Sequence, residues 1–283
     1  MNIGSVLLLC GAALAFVCHS RHPSHLSDFK EQRFQRSRAL RTENIAKLRA
    51  DKFSQTWTEL TTKSPHIWYV AEPMYNCEHT ERFGDIVGDG AKMVCNPHHL
   101  KQQKSCLYYG FGVDGEVYFD EAFTSWLKDE GLTCEMHAFD PVDGVTRGSM
   151  PAHLESMNVK FHPWGINDKD GNFSIGWSEH MGFTLETIKT RLGHSGRTID
   201  ILKLDVEGSE WAVFNHIFAN CERARPVAHQ ILVELHSPHI SKLLDLVETW
   251  DRCGYRIFSK DLNYYCMHCV ELAVVHENFL KCL

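Results

Sequence analysis

The sequence predicts an α/β fold, a doubly wound and mainly parallel sheet, on three observations. Ile199, Ile201, Leu202, Leu204 and Val206 make an apolar run too short for a helix and suited to a strand buried on both faces. The run ends on Asp205 and Glu207, then Gly208 opens a turn and Ser209 can cap a helix with Glu210 in its first turn. On both sides of this unit strand and helix patterns alternate, which is the order of a doubly wound sheet.

The elements follow in order. Residues 1–20 hold an apolar stretch, Ile3 to Val17, with no charge. It is shorter than the roughly 20 residues that cross a bilayer, so a signal peptide is favoured over an anchor. The positive residues come after it, from Arg21 to Arg41, and for an uncleaved anchor they would favour a cytoplasmic C-terminus. Membrane attachment through residues 3–17 is the alternative to cleavage. Residues 21–64 mix Arg, Lys and Glu with spaced Leu40, Ile45, Leu48 and Phe53, a polar helical stem that Pro65 stops. Residues 65–104 form a Gly-rich segment before the fold. There Gly84, Gly88 and Gly90 break helices, and Asp89 and Lys92 either lie over the mouth of a site or ride on a surface loop fixed by Cys95.

The core domain is expected over residues 105–283. Its predicted strands are Ser105 to Tyr109, Glu135 to Phe139, Asn158 to Pro163, Ile199 to Asp205 and Gln230 to Leu235. Its predicted helices are Val117 to Lys128, Thr184 to Leu192, Ser209 to about Phe218, and Ser241 to Cys253 closed by Gly254. Tyr255 to Phe258 and Cys269 to His276 finish the chain as strands able to pair antiparallel.

The net charge is −7, so no basic surface dominates and nucleic acid is not an expected partner. Beyond Cys10 and Cys18, nine cysteines are spread over the chain. In an oxidising compartment most would pair with one left over, and that compartment is favoured here over the charge rule. The alternative is small buried hydrophobes, for which Cys106 in a strand is suited.

The first core strand runs into Gly110-Phe111-Gly112-Val113-Asp114-Gly115, a G-x-G-x-x-G turn between a strand and a helix. Asp140 closes the second strand and is placed to accept both hydroxyls of a ribose. Together they indicate a nucleoside-containing cofactor. NAD would use the same groups, yet the fingerprint lies about 110 residues into the chain and no hydride-transfer constellation follows. S-adenosylmethionine fits better.

Five segments carry a family likeness: G-D-G-A-K-M-V-C-N-P, C-L-Y-Y-G-F-G-V-D-G-E-V-Y-F-D-E, H-A-F-D-P, F-H-P-W-G-I-N-D-K-D-G and I-L-K-L-D-V-E-G-S-E-W. Over about Phe83 to His276 the chain resembles the FkbM-type methyltransferases, and more closely the animal methyltransferase-like proteins with a secretory N-terminus. The resemblance implies a Rossmann-like, class I fold with an antiparallel terminal strand, and S-adenosylmethionine as cofactor. It implies that Gly110 and Gly112 approach the methionine part of the cofactor and that Asp140 holds the ribose. Gly165, Ile166 and Asn167 would border the adenine, with Asp168 near its amino group and Asp205 by the amino-acid end or the methyl group. Such enzymes commonly have an acid just before the first glycine. Here Tyr108-Tyr109 stands there, which leaves the ammonium to Asp114 or Asp205.

The expected reaction is methyl transfer to an oxygen of a small molecule or glycan in the secretory pathway. Asp205 and His236, at the ends of strands expected to be neighbours, are the candidate catalytic residues, with His236 as base through a pKa near neutrality and Glu207 in reserve. A nicotinamide oxidoreductase, a lumenal glycosyltransferase and a non-catalytic secreted binding domain are the competing readings. Asp168-Lys169-Asp170 imitates a glycosyltransferase D-x-D, but the following Gly171 favours a turn. Cys266-Met267-His268-Cys269 lacks a second ligand pair, so a disulfide or unpaired cysteines are expected and no metal site. Asn172-Phe173-Ser174 is a glycosylation sequon.

Overall fold

The computed structural model describes residues 25–50, 70–85, 90–102, 106–113, 117–237, 239–263, 265–266 and 268–281. The apolar N-terminal stretch, Asp89, Asp114 and Cys282 lie outside them.

Seven strands build the main sheet: β3 (Cys106–Phe111), β4 (Cys134–Phe139), β5 (Val159–His162), β9 (Ile199–Leu204), β10 (Ala228–His236), β11 (Tyr255–Leu262) and β12 (Cys269–His276). Their order is β11-β12-β10-β9-β3-β4-β5. All are parallel except β12, which runs antiparallel to β10 and β11 on either side of it. The predicted Rossmann-like order is therefore present, and the last strand is inserted between its neighbours instead of lying at the edge. The chain winds outward from the centre twice, so β3 and β9 adjoin at the point where the order reverses.

Helices follow the strands because each has one apolar stripe to bury. In α2 (Tyr118–Asp129), Phe119, Phe123 and Leu127 recur at helical spacing and pack on Tyr108 and Phe83. In α7 (Ile240–Cys253), Leu243, Val247 and Trp250 cover the opposite face together with Phe214 of α6 (Glu210–Ile217). Each fully buried side chain of this kind contributes about 1.5–3 kcal/mol. Gly254 ends α7 at φ +89°, where a Cβ would lie 2.8 Å from His276 Nε2. Between β4 and β5 run two short helices, α3 (Asp143–Thr146) and α4 (Met150–Ser156). Helix α8 (Glu277–Lys281) closes the described chain.

Three features depart from or sharpen the expectations. The helix predicted in the stem is α1 (His25–Ala50), but it is docked on the domain. Phe34 and Ile45 are buried, Arg256 lies over the Phe34 ring at 4.0 Å, and Arg41 Nη2 donates to the Glu72 carbonyl at 2.7 Å. Ahead of the core, β1 (Thr80–Phe83) and β2 (Lys92–Cys95) form an antiparallel hairpin. It lies against β10 and β12, pinned by the Cys77–Cys95 disulfide and by Gln230, whose side chain pairs with both the N–H and the carbonyl of Cys95 at 2.8 Å. After β5, the chain adds a small sheet of β6 (Gly165–Ile166), β7 (Gly171–Ile175) and β8 (Ser178–Phe183), which leads into α5 (Leu185–Arg191).

Among the described residues four disulfides join Cys77–Cys95, Cys106–Cys134, Cys221–Cys253 and Cys266–Cys269. Cys106 is thus no free buried hydrophobe: it stands directly opposite Cys134 on the neighbouring strand. Among the described residues no helix is long and apolar enough to cross a membrane.

Candidate functional site

The exits of β3 and β9 are clasped together at the reversal point. Asp205 donates its N–H to the Phe111 carbonyl at 3.0 Å, Gly112 donates to the Phe139 carbonyl at 3.0 Å, and Lys203 Nζ donates to the Gly112 carbonyl at 2.9 Å. Gly112 has φ +82°, and a Cβ there would fall 1.6 Å from the Asp205 carbonyl oxygen. The approach of β9 alone therefore demands glycine at this position. Gly110 answers a different need, since a Cβ on it would meet the Tyr108 hydroxyl at 2.2 Å.

Asp140 is 3% exposed at the end of β4. One oxygen accepts the Val113 N–H at 2.9 Å and the other the Val142 N–H at 2.8 Å, so this acid shapes the glycine turn. Gly165 and Ile166 are buried in β6, with Gly165 against the Phe173 ring and Pro141. Asn167 donates its N–H to the Phe183 carbonyl and accepts the Asp168 N–H, while the Asp168 side chain is exposed. Asp170 accepts from the Thr184 N–H and the Thr187 hydroxyl, both at 2.8 Å. The acidic pair of that segment thus belongs to a turn that anchors the start of α5.

The strand ends carry a row of acids that pairing register brings level. Glu234 of β10 stands opposite Glu271 of β12, which stands opposite Asp261 of β11. Asp205, Glu234 and Glu271 bring carboxylate oxygens within 4.8 Å of one another. The β1–β2 hairpin supplies the counter-charge. Lys92 is 2% exposed and its Nζ donates to Asp205 Oδ2 at 3.2 Å and to Glu271 Oε1. Arg82 Nη1 donates to Asp261 Oδ2 at 2.5 Å. Three carboxylates this close cannot all stay charged. Burial and the neighbouring Glu271 and Asp205 push the Glu234 carboxyl up to about 8. Burial opposes the charge on Asp205 too, but Lys92, Lys203 and His236 hold it down to about 2.

His236 closes this group from β10, which is adjacent to β9 as expected. Its Nδ1 is 2.5 Å from Oε1 of Glu210, which is fully buried, and its Nε2 is 3.5 Å from exposed Glu207. Trp211 Nε1 donates to the His236 carbonyl at 2.9 Å. Burial alone would lower the imidazole pKa, yet Glu210, Glu207 and Glu234 raise it to about 9. The expectation of a histidine titrating near neutrality is therefore corrected: its carboxylate partners keep it charged. Glu207 adopts φ +53°, an uncommon conformation for a non-glycine residue.

The structure gathers Asp205, Glu207, His236 and Gly112 at one place, with Asp140 across the glycine turn. Asp114 lies outside the described residues. Lys92 does reach the strand ends, and the disulfide at Cys95 also exists. Sequence reasoning missed Glu234, Glu271, Lys203 and Glu210. Lys203 and Glu210 stood inside the I-L-K-L-D-V-E-G-S-E-W segment, and Glu234 stood two residues before His236.

Comparison with known proteins adds the following. A family described as a methyltransferase domain matches residues 25–276. The chain is similar to the probable methyltransferase-like protein 24 of Homo sapiens, 28% identical over 144 residues, which is 50% of this chain and 35% of that protein. Its Rattus norvegicus counterpart is 28% identical over 141 residues, 49% of this chain and 35% of that protein. The matched segments thus span about a third of the length of these curated relatives. Among solved structures, the fibrillarin pre-rRNA processing protein of Methanococcus jannaschii matches with a TM-score of 0.40 at 9% identity, covering 71% of this chain and 99% of that one. An rRNA methylase of Streptococcus thermophilus matches with a TM-score of 0.37 at 12% identity, covering 63% and 92%.

Proposed function

The chain belongs to this family of methyltransferase domains, and on that premise we propose that it binds S-adenosylmethionine at the carboxyl ends of β3, β4 and β9 and methylates an oxygen of a small molecule or glycan in the secretory pathway. The observation that carries the reading is Asp205, set at the reversal point beside the Gly112 turn and held ionised by buried Lys92. Fixed negative charge at that place fits a cofactor that carries a sulfonium and an ammonium group. When bound, the cofactor supplies a methyl group on a positively charged sulfur.

In this reading Gly110, Gly112 and Asp205 hold the amino-acid end. Asp140 holds the ribose, from the end of β4 beside the glycine turn that its two oxygens brace. Gly165, Ile166 and Asn167 border the adenine, with exposed Asp168 at its edge. The protein's part in the reaction is to align the acceptor oxygen with the methyl group and to take its proton. Charged His236 has no lone pair free for a proton. Glu207, exposed and 3.5 Å from His236 Nε2, is the base, and His236 with Glu210 behind it positions Glu207. The four disulfides support a lumenal or secreted setting.

Calorimetry on the oxidised protein tests the cofactor. S-adenosylhomocysteine should bind, NAD should not, and Asp205→Asn should weaken the binding. NAD binding, or unchanged affinity in Asp205→Asn, sinks the assignment. A screen of glycans and metabolites with labelled cofactor identifies the acceptor. Single-turnover transfer should then fall by roughly 10²–10⁴ in Glu207→Gln.

A further inference from the structure

We propose that Glu135, His137 and His194 form a zinc-binding site on the α5-covered face of the sheet, separate from the strand-end acids. Glu135 and His137 belong to β4, and His194 lies in the turn that follows α5. One donor atom from each lies within 4.8 Å of the others. Glu135 is centred between the imidazoles, with Oε1 3.4 Å from His137 Nε2 and Oε2 3.4 Å from His194 Nε2. Two imidazoles and one carboxylate are a known zinc donor set that leaves a fourth position for water.

Two observations single out this group. The His137 Nε2 atom is buried and makes no well-formed hydrogen bond among the described residues, only the long 3.4 Å approach of Glu135 Oε1, while the residue itself is 2% exposed. A buried polar atom with so poor a hydrogen bond calls for a better partner. The second observation is how the far sides of both rings are held. His137 Nδ1 is 2.8 Å from His162 Nε2, and His194 Nδ1 is 2.7 Å from the Tyr109 hydroxyl. With a proton on each Nδ1, both rings present the Nε2 lone pair toward Glu135. Partners of this kind on the far nitrogen are what fix metal-ligating histidines. Two cations already attend the carboxylate: Arg197 Nη1 at 2.6 Å and Lys160 Nζ at 2.9 Å. Lys160 is 60% exposed and free to swing out as the ion takes its place on Oε1. The bound ion would tie the turn after α5 to β4.

The test is Zn²⁺ titration of the full oxidised chain against a chromophoric chelator, after metal stripping. Keeping the disulfides intact removes Cys266 and Cys269 as competitors. One equivalent should bind and raise the unfolding temperature, and both effects should vanish in His137→Asn/His194→Gln. Tyr109→Phe should weaken binding roughly 10–100-fold. Lys160→Met, an exposed change that spares the fold, should tighten it. The proposal is overturned if the parent binds no zinc, or if the double variant keeps the full equivalent, which would place the ion at the strand-end acids. Should the double variant not fold, equal affinities in Tyr109→Phe, Lys160→Met and the parent overturn it as well.

Discussion

Lys92 is one buried ammonium shared by two carboxylates, with a third beside them. Removing one partner of a buried ion pair typically costs about 3–5 kcal/mol, because the remaining charges stay buried and unpaired. Lys92→Met should therefore lose stability of that order in denaturant unfolding, and Lys92→Arg less. The pH dependence follows from two neighbours. Glu234 keeps its proton up to about 8 in the native chain but releases it near its ordinary 4.5 when unfolded, so stability drains away between those values as pH rises. His236 gives stability that is complete below about 6.5 and is lost as pH climbs through about 9. Both slopes have the same sign. Burial holds four histidines, His99, His137, His162 and His276, down to about 4, and these add stability as pH rises toward 6.5. The fall should therefore show above about pH 7: the unfolding temperature should drop from pH 7 to pH 9, with Glu234→Gln flattening the lower part of that range and His236→Asn the upper part. At this scale Asp205, Glu207 and His236 were legible because they end runs of apolar sequence. Glu271 was not, since only its register opposite Glu234 makes it part of the site.

Among elements, the strands and helices of the core were legible because hydrophobic periodicity and Gly or Pro punctuation agree there. Strands β6 to β8 were not, for most of β7 is exposed and its residues show no apolar alternation. The hairpin was half legible: its glycines announced turns, but nothing local fixes which face of the sheet it covers. Disulfide Cys77–Cys95 and the Gln230 clamp do that. The glycine turn shows how one motif serves two masters. A cofactor argument makes Gly112 a place for close backbone approach by ligand, whereas the structure fills that space with the Asp205 carbonyl. Gly112→Ala should accordingly destabilise the fold by at least about 1–3 kcal/mol with no cofactor present. Unfolding curves of the ligand-free variant that match the parent would contradict this packing.

For the molecule as a whole, cysteine number pointed to an oxidising compartment, with which the disulfides are compatible, and the sequence left their pairing open. Eight of the nine cysteines beyond the N-terminal two are paired, and the ninth, Cys282, lies outside the described residues. Docking of α1 was not legible either, because its apolar residues are scattered and form no single stripe: Phe34 and Ile45 are buried while Leu40 is exposed. The sequon residue Asn172 is exposed on β7. The protein made in animal cells should shift on gels after glycosidase treatment, and Asn172→Gln should remove the shift. A product that is reduced and unshifted would exclude the secretory route.

The four disulfides also follow one another along the chain, 77 to 95, 106 to 134, 221 to 253 and 266 to 269, with none interleaved. During synthesis, which proceeds from the N-terminus, the second cysteine of each of these pairs leaves the ribosome before the first of the next. Where each pair closes as it emerges, the order of translation favours the native connectivity among these four pairs. In the fully reduced chain these eight cysteines alone can pair with one another in 105 ways. Recovery of fully reduced, denatured chain should thus depend on an added disulfide isomerase far more than first-pass oxidation of the nascent chain does.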